Sequence, residues 1–219
     1  MPSDAQSISN QAAVIELGPT GYRAGMEIQR EHAARREAGE IGDTLILLEH
    51  PPVYTVGTGG TDDHVLADQD ELAARGVEVH RCDRGGEVTW HGPGQIVGYV
   101  IADLRPRGKD VGRFCRDLEE IMIRTLADHG IEGRRVDGDT GAWVGREKVG
   151  ALGVHVRRWI TTHGFALNVD CDLTMYERII PCGIFDKGVT SMHAVSGDPV
   201  DIAAVRGSVR AHFEELFVG

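Results

Sequence analysis

The feature that most constrains the fold of this chain is an apolar run that stops at two prolines. Residues 44–49 (TLILLE) are almost entirely apolar, and His50, Pro51 and Pro52 follow them directly. A short apolar run bounded by turn residues is typical of a buried strand, and proline cannot donate to the hydrogen-bond ladder of a sheet. We therefore predict a strand at 44–49, buried within a sheet, with a turn after it.

Other segments of the chain have the periodicity of strands. We expect residues 53–57 to extend the edge of the same sheet. Apolar or alternating patterns predict further strands at 77–81, 95–101, 141–144, 148–156 and 160–169. Gly145, Arg146 and Glu147 lie between two of these segments and predict a hairpin.

Four segments have the spacing of helices. They are an early helix that starts at Tyr22, a short helix at 69–75, a longer one at 111–129 and a closing one within 199–217. Asp110 is placed to cap the third of these helices, and Gly130 is placed to end it. Strands interspersed with helices over 219 residues predict a single α/β domain, in which a mixed β-sheet is flanked by helices.

The composition argues against several classes of function. A formal net charge of −11 disfavours non-specific binding to nucleic acid, because a phosphate backbone attracts clustered Lys and Arg. No apolar run approaches the ~20 residues that a membrane span needs. The start of the sequence is polar and lacks the features of a secretory signal, so we expect a cytoplasmic protein whose 4 cysteines are free thiols. The spacing of His and Cys matches no zinc motif, and we expect no metal.

Basic clusters stand against this acidic background at 105–109, 134–135 and 157–158. Such clusters are commonly solvated surface, and the alternative is a docking site for an acidic protein partner. The sequence leaves both interpretations open.

The densest functional signal is the segment 84–95 (RGGEVTWHGPGQ), which has 4 glycines and a proline among polar side chains. We interpret it as a loop. Glycine has no Cβ and permits positive φ, so main-chain N–H groups can approach a ligand closely. A structural turn without a ligand is the alternative interpretation. The Gly-Lys-Ser/Thr of a P-loop is missing, so nucleotide phosphates are not implied.

Cys182 is the best candidate for a nucleophile, because it lies on a turn between Pro181 and Gly183 with little bulk beside it. Cys171 lies between two aspartates, whose charge disfavours a thiolate, and Cys115 lies in an apolar helix. Cys82 ends a strand beside an aspartate. The alternative for Cys182 is a small buried hydrophobic residue.

A cysteine nucleophile needs a partner that stabilises its thiolate and handles a proton, usually His or Lys. Lys148 stands on an apolar strand, where burial would lower its pKa towards that of a useful base. A solvated hairpin residue is the alternative interpretation. The other candidate partners are His91, His155 and His163.

Taken in order, these segments resemble the lipoyl(octanoyl) transferases of lipoate biosynthesis. The resemblance covers nearly the whole chain and rests on residues 47–55 (LLEHPPVYT), 84–95, 148–153 (KVGALG), 163–169 (HGFALNV) and 181–184 (PCGI). Trp90 stands where that family frequently has Tyr, and Gly150 where it commonly has a slightly larger small residue. Both departures concern details of the pocket.

The resemblance implies a fold similar to the catalytic domains of biotin protein ligases and lipoate ligases. Residues 13–219 would form a single catalytic domain after a flexible segment at 1–12. By position, Cys182 would be the cysteine that accepts the acyl group, and Lys148 would be its partner. The substrate site would be formed by Arg84, Gly85, Gly86, Glu87, Val88, Thr89, Trp90, His91, Ala151, Leu152, Gly153, Gly164, Phe165 and Ala166, with Val88, Leu152 and Phe165 as apolar walls for the acyl tail.

The resemblance also implies the reaction. An octanoyl group would pass from octanoyl-acyl carrier protein, through a thioester on Cys182, to a lysine of a lipoyl domain. The acceptors would be the acyltransferase subunits of 2-oxoacid dehydrogenases and the glycine cleavage H protein. We expect no ATP, no metal and a monomer, with phosphopantetheine arriving on the carrier protein and Arg157-Arg158 as its docking patch. The competing interpretations are an ATP-dependent lipoate or biotin ligase and an inert partner that binds lipoyl domains.

Overall fold

The computed structural model describes residues 12–179 and 188–218, which contain ten strands in two sheets. The strands are β1 (Ala13–Pro19), β2 (Thr44–Glu49), β3 (Val53–Val56), β4 (Glu78–Arg81), β5 (Val88–His91), β6 (Gln95–Ile101), β7 (Arg134–Val136), β8 (Asp139–Val144), β9 (Glu147–Arg157) and β10 (Ile160–Asn168). The main sheet has seven strands in the order β1-β2-β6-β10-β9-β8-β7, and the second sheet has the order β4-β3-β5. The main sheet is mixed, because β1 is parallel to β2 and the remaining neighbours are antiparallel.

Helices cover both faces of the main sheet. They are α1 (Tyr22–Glu37), α2 (Gln69–Ala74), α3 (Val111–Asp128), α4 (Met192–Ser196) and α5 (Ile202–Val218), with 3-10 turns at Asp62–His64 and Leu173–Arg178. The predicted fold class, a mixed sheet flanked by helices, is confirmed. No helix in the part of the chain that the structure describes is long and apolar enough to cross a membrane.

The apolar run 44–49 is explained by burial on both sides of the main sheet. Leu45 and Leu47 face a core that α3 and α5 complete, whereas Ile46 and Leu48 face a core that α1 completes. Successive side chains of a strand point to opposite faces, so a strand with helices over both faces is apolar at every position. The predicted strand is confirmed.

The predicted ends of the third helix are also found. The carboxylate of Asp110 accepts a hydrogen bond of 2.8 Å from the backbone N–H of Arg113, and Gly130 follows the helix with a φ of 74°. The closing helix begins at Ile202, where the backbone N–H of Ala203 donates to Asp201.

Two predictions about the region after β2 are wrong. Residues 53–57 do not extend the edge of the same sheet, because β3 is the central strand of the second sheet, parallel to β4 and antiparallel to β5. The segment 84–95 is not all loop, since Val88 and Trp90 are buried with Tyr54 in a separate apolar core and make 88–91 a strand. The strands β1 and β7 were not predicted.

Candidate active site

A cleft lies between the main sheet and the second sheet. β9 and β10 form one of its walls, and the segment from Arg84 to His91 forms another. Ala151 pairs with Ala166 across the β9–β10 ladder, and Gly153 pairs with Gly164. Side chains of large residues at these four positions would fill the space between the sheets, so the cleft exists because the residues are small.

Gly153 allows the glycine-rich segment to approach the main sheet. A Cβ at position 153 would lie 2.8 Å from the carbonyl oxygen of Gly85 and 3.1 Å from Cδ of Arg84. The backbone N–H of Gly85 donates to the carbonyl of Val154 at 3.0 Å, which fixes the segment at that distance. The glycines of the motif therefore bring two backbones together beside the cleft, as their lack of a Cβ permits.

Arg84 holds the wall of the cleft in place. Its guanidinium donates to the carbonyl and hydroxyl oxygens of Thr55, to the carbonyl of Gly85 and to the carbonyl of Glu87, at 2.7–3.3 Å. These acceptors are uncharged, and no carboxylate among the described residues forms an ion pair with Arg84. Arg84 therefore keeps a positive charge in the wall of the cleft while it ties the segment to β3.

Lys148 also lines the cleft, five residues before Gly153 along β9. Its side chain is half-buried, and Nζ lies 4.8 Å from the ring centroid of Trp143. The backbone N–H of Lys148 donates to Gly188, and its carbonyl accepts from Thr190, at 2.9 and 3.0 Å. The chain at 188–190 therefore runs beside Lys148, and Val189 lines the cleft there.

A buried polar network connects the second sheet to the segment at 188–190. His91 Nδ1 lies 2.7 Å from Gln95 Oε1, and Gln95 Nε2 donates to Asn168 Oδ1 at 2.8 Å. Asn168 Nδ2 then donates to the carbonyl of Thr190 at 3.0 Å. Burial, together with the charge of nearby His50, lowers the pKa of His91 to about 3, so His91 is neutral at pH 7 and donates from Nδ1.

At the other end of the cleft, a buried histidine is held in a rare backbone conformation. His163 has a φ of 60°; its backbone N–H donates to Gln29 at 2.6 Å, and its Nε2 lies 2.7 Å from the carboxylate of Asp83. Burial lowers the pKa of His163, although Asp83 opposes this effect. Tyr99 packs edge to face against His163 and donates to His50.

Comparison with known proteins assigns the chain to a family. It matches the model of the lipoyl protein ligase A/B catalytic domain over residues 21–214. It is 52% identical over 204 residues to an octanoyltransferase of Chloroflexus aurantiacus, which covers 92% of each chain. It is 49% identical over 201 residues to an octanoyltransferase of Rubrobacter xylanophilus, with coverage of 91% of this chain and 90% of that protein. The chain belongs to the octanoyltransferase family.

Octanoyltransferases are acyltransferases, so the chain is an enzyme of that class. Among solved structures, lipoate-protein ligase A bound with ATP has a TM-score of 0.77 at 18% identity, with 94% of this chain and 85% of that chain covered. Apo biotin protein ligase from Aquifex aeolicus has a TM-score of 0.50 at 12% identity, with 93% and 68% covered. These likenesses concern the fold, and they confirm the expected similarity to both classes of ligase.

Most of the residues that the octanoyltransferase resemblance implies for the substrate site line the cleft. They are Arg84, Gly86, Glu87, Val88, Thr89, His91, Ala151, Leu152, Gly153, Gly164, Phe165 and Ala166, together with Lys148. Gly85 and Trp90 are not brought to the cleft. Gly85 does not line the cleft, and its backbone N–H donates to Val154; Trp90 is 2% exposed in the core of the second sheet. Trp90 points away because it alternates with Thr89 and His91 along β5.

Cys182 lies outside the described residues. The other three cysteines do not line the cleft. Burial, with the charges of two flanking aspartates, raises the pKa of Cys171 to about 12, and burial raises the pKa of Cys115. Both thiols therefore stay protonated at neutral pH, and neither is a good nucleophile. No group of three or more His, Cys, Asp or Glu within the described ranges 12–179 and 188–218 is arranged to hold a metal ion.

Several residues that line the cleft were not predicted from the sequence. They are Tyr22, Val97, Tyr99, Thr140, Asn168, Tyr176 and Val189, while His163 was considered only as a partner for the cysteine and Gly150 only as a departure from the family that concerns the pocket. Asn168 carried a signal, because it is a polar residue that directly follows the run GFAL at 164–167. Tyr22 carried none, since a tyrosine at the start of a helix is unremarkable in sequence.

Proposed function

We propose that this protein transfers an octanoyl group from octanoyl-acyl carrier protein to a lysine of a lipoyl domain, through a thioester on Cys182. The observation that carries the proposal is the position of Lys148 at the end of a cleft floored by small residues, in a chain about half identical to octanoyltransferases. The backbone of Lys148 is bonded to residues 188 and 190, in the segment that follows Cys182 in sequence.

In the first half-reaction, the Cys182 thiolate attacks the carbonyl carbon of the octanoyl thioester. A new C–S bond forms, the bond to the phosphopantetheine sulfur breaks, and that sulfur leaves as a thiol after taking a proton. The ammonium group of Lys148 stabilises the thiolate and supplies the proton. One thioester replaces another, so the step is nearly isoenergetic and needs no ATP.

In the second half-reaction, the amine of the acceptor lysine attacks the acyl-enzyme. A C–N bond forms, the C–S bond breaks, and the Cys182 thiolate is released. The amine must be neutral to attack, although the reference pKa of lysine is about 10.4, so a base is required. The ammonium of the acceptor loses its first proton to solvent before the attack. As the amide forms, the nitrogen loses a second proton, which Lys148, neutral after the first half-reaction, accepts and so returns to its initial state.

The cleft provides apolar surface for the acyl tail. Val88, Leu152 and Phe165 border it, although their side chains also pack into the neighbouring cores, and the small-residue pairs of β9 and β10 lie between them. Each methylene that leaves water for such a surface contributes about 0.8 kcal/mol. Discrimination between chain lengths then depends on where the space for the tail ends.

Docking of an acidic carrier protein requires local positive charge on a chain with a net charge of −11. Several arginines of the basic clusters already form ion pairs within the chain. Arg105 pairs with Asp103 and Arg107 with Asp43, Arg135 pairs with acidic residues of α3, and Arg158 pairs with Glu37. Arg157 is exposed at the end of β9 and remains our first choice for a docking residue. A single domain at 13–219, a monomeric state, a cytoplasmic location and the acceptor proteins stay predictions.

The test is the intact mass of the protein after incubation with octanoyl-acyl carrier protein, without ATP and with EDTA. We expect the wild type to gain one octanoyl group that hydroxylamine removes, and Cys182→Ala to gain none. Cys115→Ala is the matched control, because it removes a half-buried thiol on α3 that lies away from the cleft, and it should be acylated like the wild type.

A second incubation, with free octanoate, ATP and a lipoyl domain, separates the competing activity. Octanoylation of the lipoyl domain that needs ATP and survives Cys182→Ala would establish a ligase and contradict the proposal. Absence of any acyl-enzyme and any transfer in the wild type would instead favour a binding protein without activity.

A further inference from the structure

Tyr22 is the first residue of α1, and its ring is fixed between two imidazoles. The ring stacks on His80 with centroids 5.2 Å apart and packs edge to face against His50 at 5.5 Å. The side chain is 5% exposed. One turn further along the helix, a Cβ at Gly25 would lie 3.2 Å from His50 and 3.4 Å from Tyr99, so α1 packs closely on this region. The ring of Tyr22 therefore has a single, well-supported position.

Two cavities meet at this ring. One is the cleft that contains Lys148, and the other lies between α1 and the end of β4, where Met26, Arg30, Arg81 and Cys82 line it. Within the described part of the chain, Tyr22 is the residue that both cavities share. Its ring is thus a partition between them.

The partition lies at the far end of the cleft from Lys148. The cleft follows β9 from Lys148 to Gly153, which is five residues or about 17 Å of strand. Gly153 pairs with Gly164, and Gly164 pairs with Tyr99 on β6, the strand over which α1 begins. An extended chain that starts at Lys148 and follows the small-residue pairs is therefore directed at Tyr22.

We propose that the ring of Tyr22 is the end wall of the acyl cleft and sets the longest acyl chain that the enzyme accepts. The proposal rests on the proposed function, since it takes the acyl carbonyl to lie beside Lys148. Chains that reach the ring are accepted, and longer chains are excluded because the clamped ring cannot move aside. The cavity behind the ring is lined largely by charged and polar residues and opens to exposed residues of α1, so removal of the ring would open a path for a longer chain into this cavity.

The ring of Tyr22, and not its hydroxyl group, closes the end of the cleft. Tyr22 Oη is buried and forms no hydrogen bond to an oxygen or nitrogen atom of the described residues. The Cys82 thiol lies near it and, after burial, is the next cause of the raised pKa of the phenol. Tyr22→Phe keeps the ring and should therefore keep the ratio of rates with long and octanoyl donors, whatever its absolute rate.

The experiment measures acyl-enzyme formation by intact mass with octanoyl-, dodecanoyl- and hexadecanoyl-acyl carrier protein as separate donors. We expect Tyr22→Ala to raise the ratio of the hexadecanoyl rate to the octanoyl rate at least tenfold over the wild type, because only the longest of these chains exceeds the length of the cleft. Tyr22→Leu should raise this ratio less, and Tyr22→Trp should lower the ratio of the dodecanoyl rate to the octanoyl rate. If Tyr22→Ala is not recovered as a folded protein, Tyr22→Leu gives the same comparison.

Tyr54→Leu is the matched control, because Tyr54 is a fully buried tyrosine that lines neither cavity. It should lose stability as Tyr22→Leu does, yet leave the ratio of donor rates unchanged. Suppose that the wild type is octanoylated, and that Tyr22→Ala and Tyr22→Leu have the same ratio of the long-donor rate to the octanoyl rate as the wild type. That result would overturn this inference and leave the proposed function intact. Failure of every donor to acylate the wild type would overturn both.

Discussion

Ala151 lies directly opposite Ala166 where β9 pairs with β10, in the floor of the cleft beside Lys148. Side chains opposite each other in an antiparallel pair have Cβ atoms about 4.5–5.5 Å apart, so two methyl groups leave a groove where larger residues would touch. The groove continues at Gly153 and Gly164, where neither strand has a side chain. The capacity of the site for an extended acyl chain thus depends on four positions.

Enlargement of one of these positions should block the site without unfolding the protein. We expect Ala151→Leu to lower kcat/KM for octanoyl-acyl carrier protein at least tenfold, a loss of about 1.4 kcal/mol in transition-state stabilisation, because the new side chain occupies the path of the acyl tail. Ala204→Leu adds the same atoms at an exposed position of α5 and should leave the kinetics unchanged. Equal kinetics of the two variants would contradict the assignment of this cleft to the acyl group.

Gly153→Ala tests the close approach of the glycine-rich segment. The added Cβ would meet the carbonyl of Gly85 at 2.8 Å, and a backbone atom cannot move aside as a side chain does. We expect a loss of about 1–3 kcal/mol in the free energy of unfolding and a fall in activity, since overpacking displaces the wall that Arg84 ties down.

Gly207→Ala is the matched substitution for Gly153→Ala. Position 207 lies in α5, and a Cβ there meets nothing within 4 Å. The free energy of unfolding should rise by about 1 kcal/mol through helix propensity, with activity unchanged. Urea denaturation measures the free energy of unfolding of both variants. If Gly153→Ala were also stabilised, the close contact with the carbonyl of Gly85 would not exclude a Cβ at position 153.

The elements with a strong local signal could be predicted from the sequence. Residues 45–48 are all apolar because helices cover both faces of the sheet, and Asp110 and Gly130 mark the ends of α3 by hydrogen bonding and by positive φ. These features depend on neighbours in sequence or on simple periodicity. The membership of the chain in the octanoyltransferase family also follows from contiguous motifs.

Features that depend on tertiary packing could not be predicted. β3 follows β2 after two prolines, and only the partners Val88 and Trp90 decide that it belongs to a second sheet. Trp90 points into the core of the second sheet because 88–91 is a strand. The glycines on either side made this segment look like a loop in sequence. The role of Tyr22 requires knowledge of two cavities formed by distant segments.

The buried neutral histidines should make the protein less stable in mild acid. His91 has a pKa of about 3 in the folded protein, because burial and the nearby charges of His50 and Arg84 disfavour its protonated form, whereas its pKa in the unfolded chain is about 6.5. The unfolded state therefore binds more protons below pH 6.5. The resulting stability is fully present above that pH and is lost as pH falls towards 3.

His91→Gln removes this contribution and leaves His50 and His163 in place. Between pH 6 and 5, the wild type should lose up to about 1.4 kcal/mol per pH unit more than the variant, measured by urea denaturation at each pH. Parallel curves of stability against pH for the two proteins would mean that His91 is not held neutral.

Lys148 has two proposed roles, since its charge stabilises the thiolate and its neutral form accepts a proton from the incoming amine. A substitution by arginine can separate them. Lys148→Arg keeps a positive charge that stabilises both the Cys182 thiolate and the departing phosphopantetheine thiolate, which can then take its proton from solvent, but arginine does not act as a base near neutral pH. We expect acyl-enzyme formation to fall less than tenfold, and transfer to a lipoyl domain to fall at least 100-fold. Lys148→Met should lose both steps. Single-turnover mass measurements of each half-reaction check this, and equal effects of Lys148→Arg on both would contradict the second role.

Arg157 offers a test of how an acidic chain receives an acidic carrier protein. It is exposed, and it lies four residues beyond Gly153 on β9, about 13 Å of strand from the cleft. We expect Arg157→Glu to lower kcat/KM for octanoyl-acyl carrier protein three- to tenfold at low salt, since like charges slow the encounter. The difference between the variant and the wild type should shrink above about 0.15 M salt, where the Debye length is about 8 Å.

Arg113→Glu makes the same change of charge at an exposed position of α3, on the face of the main sheet away from the cleft, and should have little effect. Unchanged kinetics of Arg157→Glu at low salt, with folding intact, would place the docking surface elsewhere.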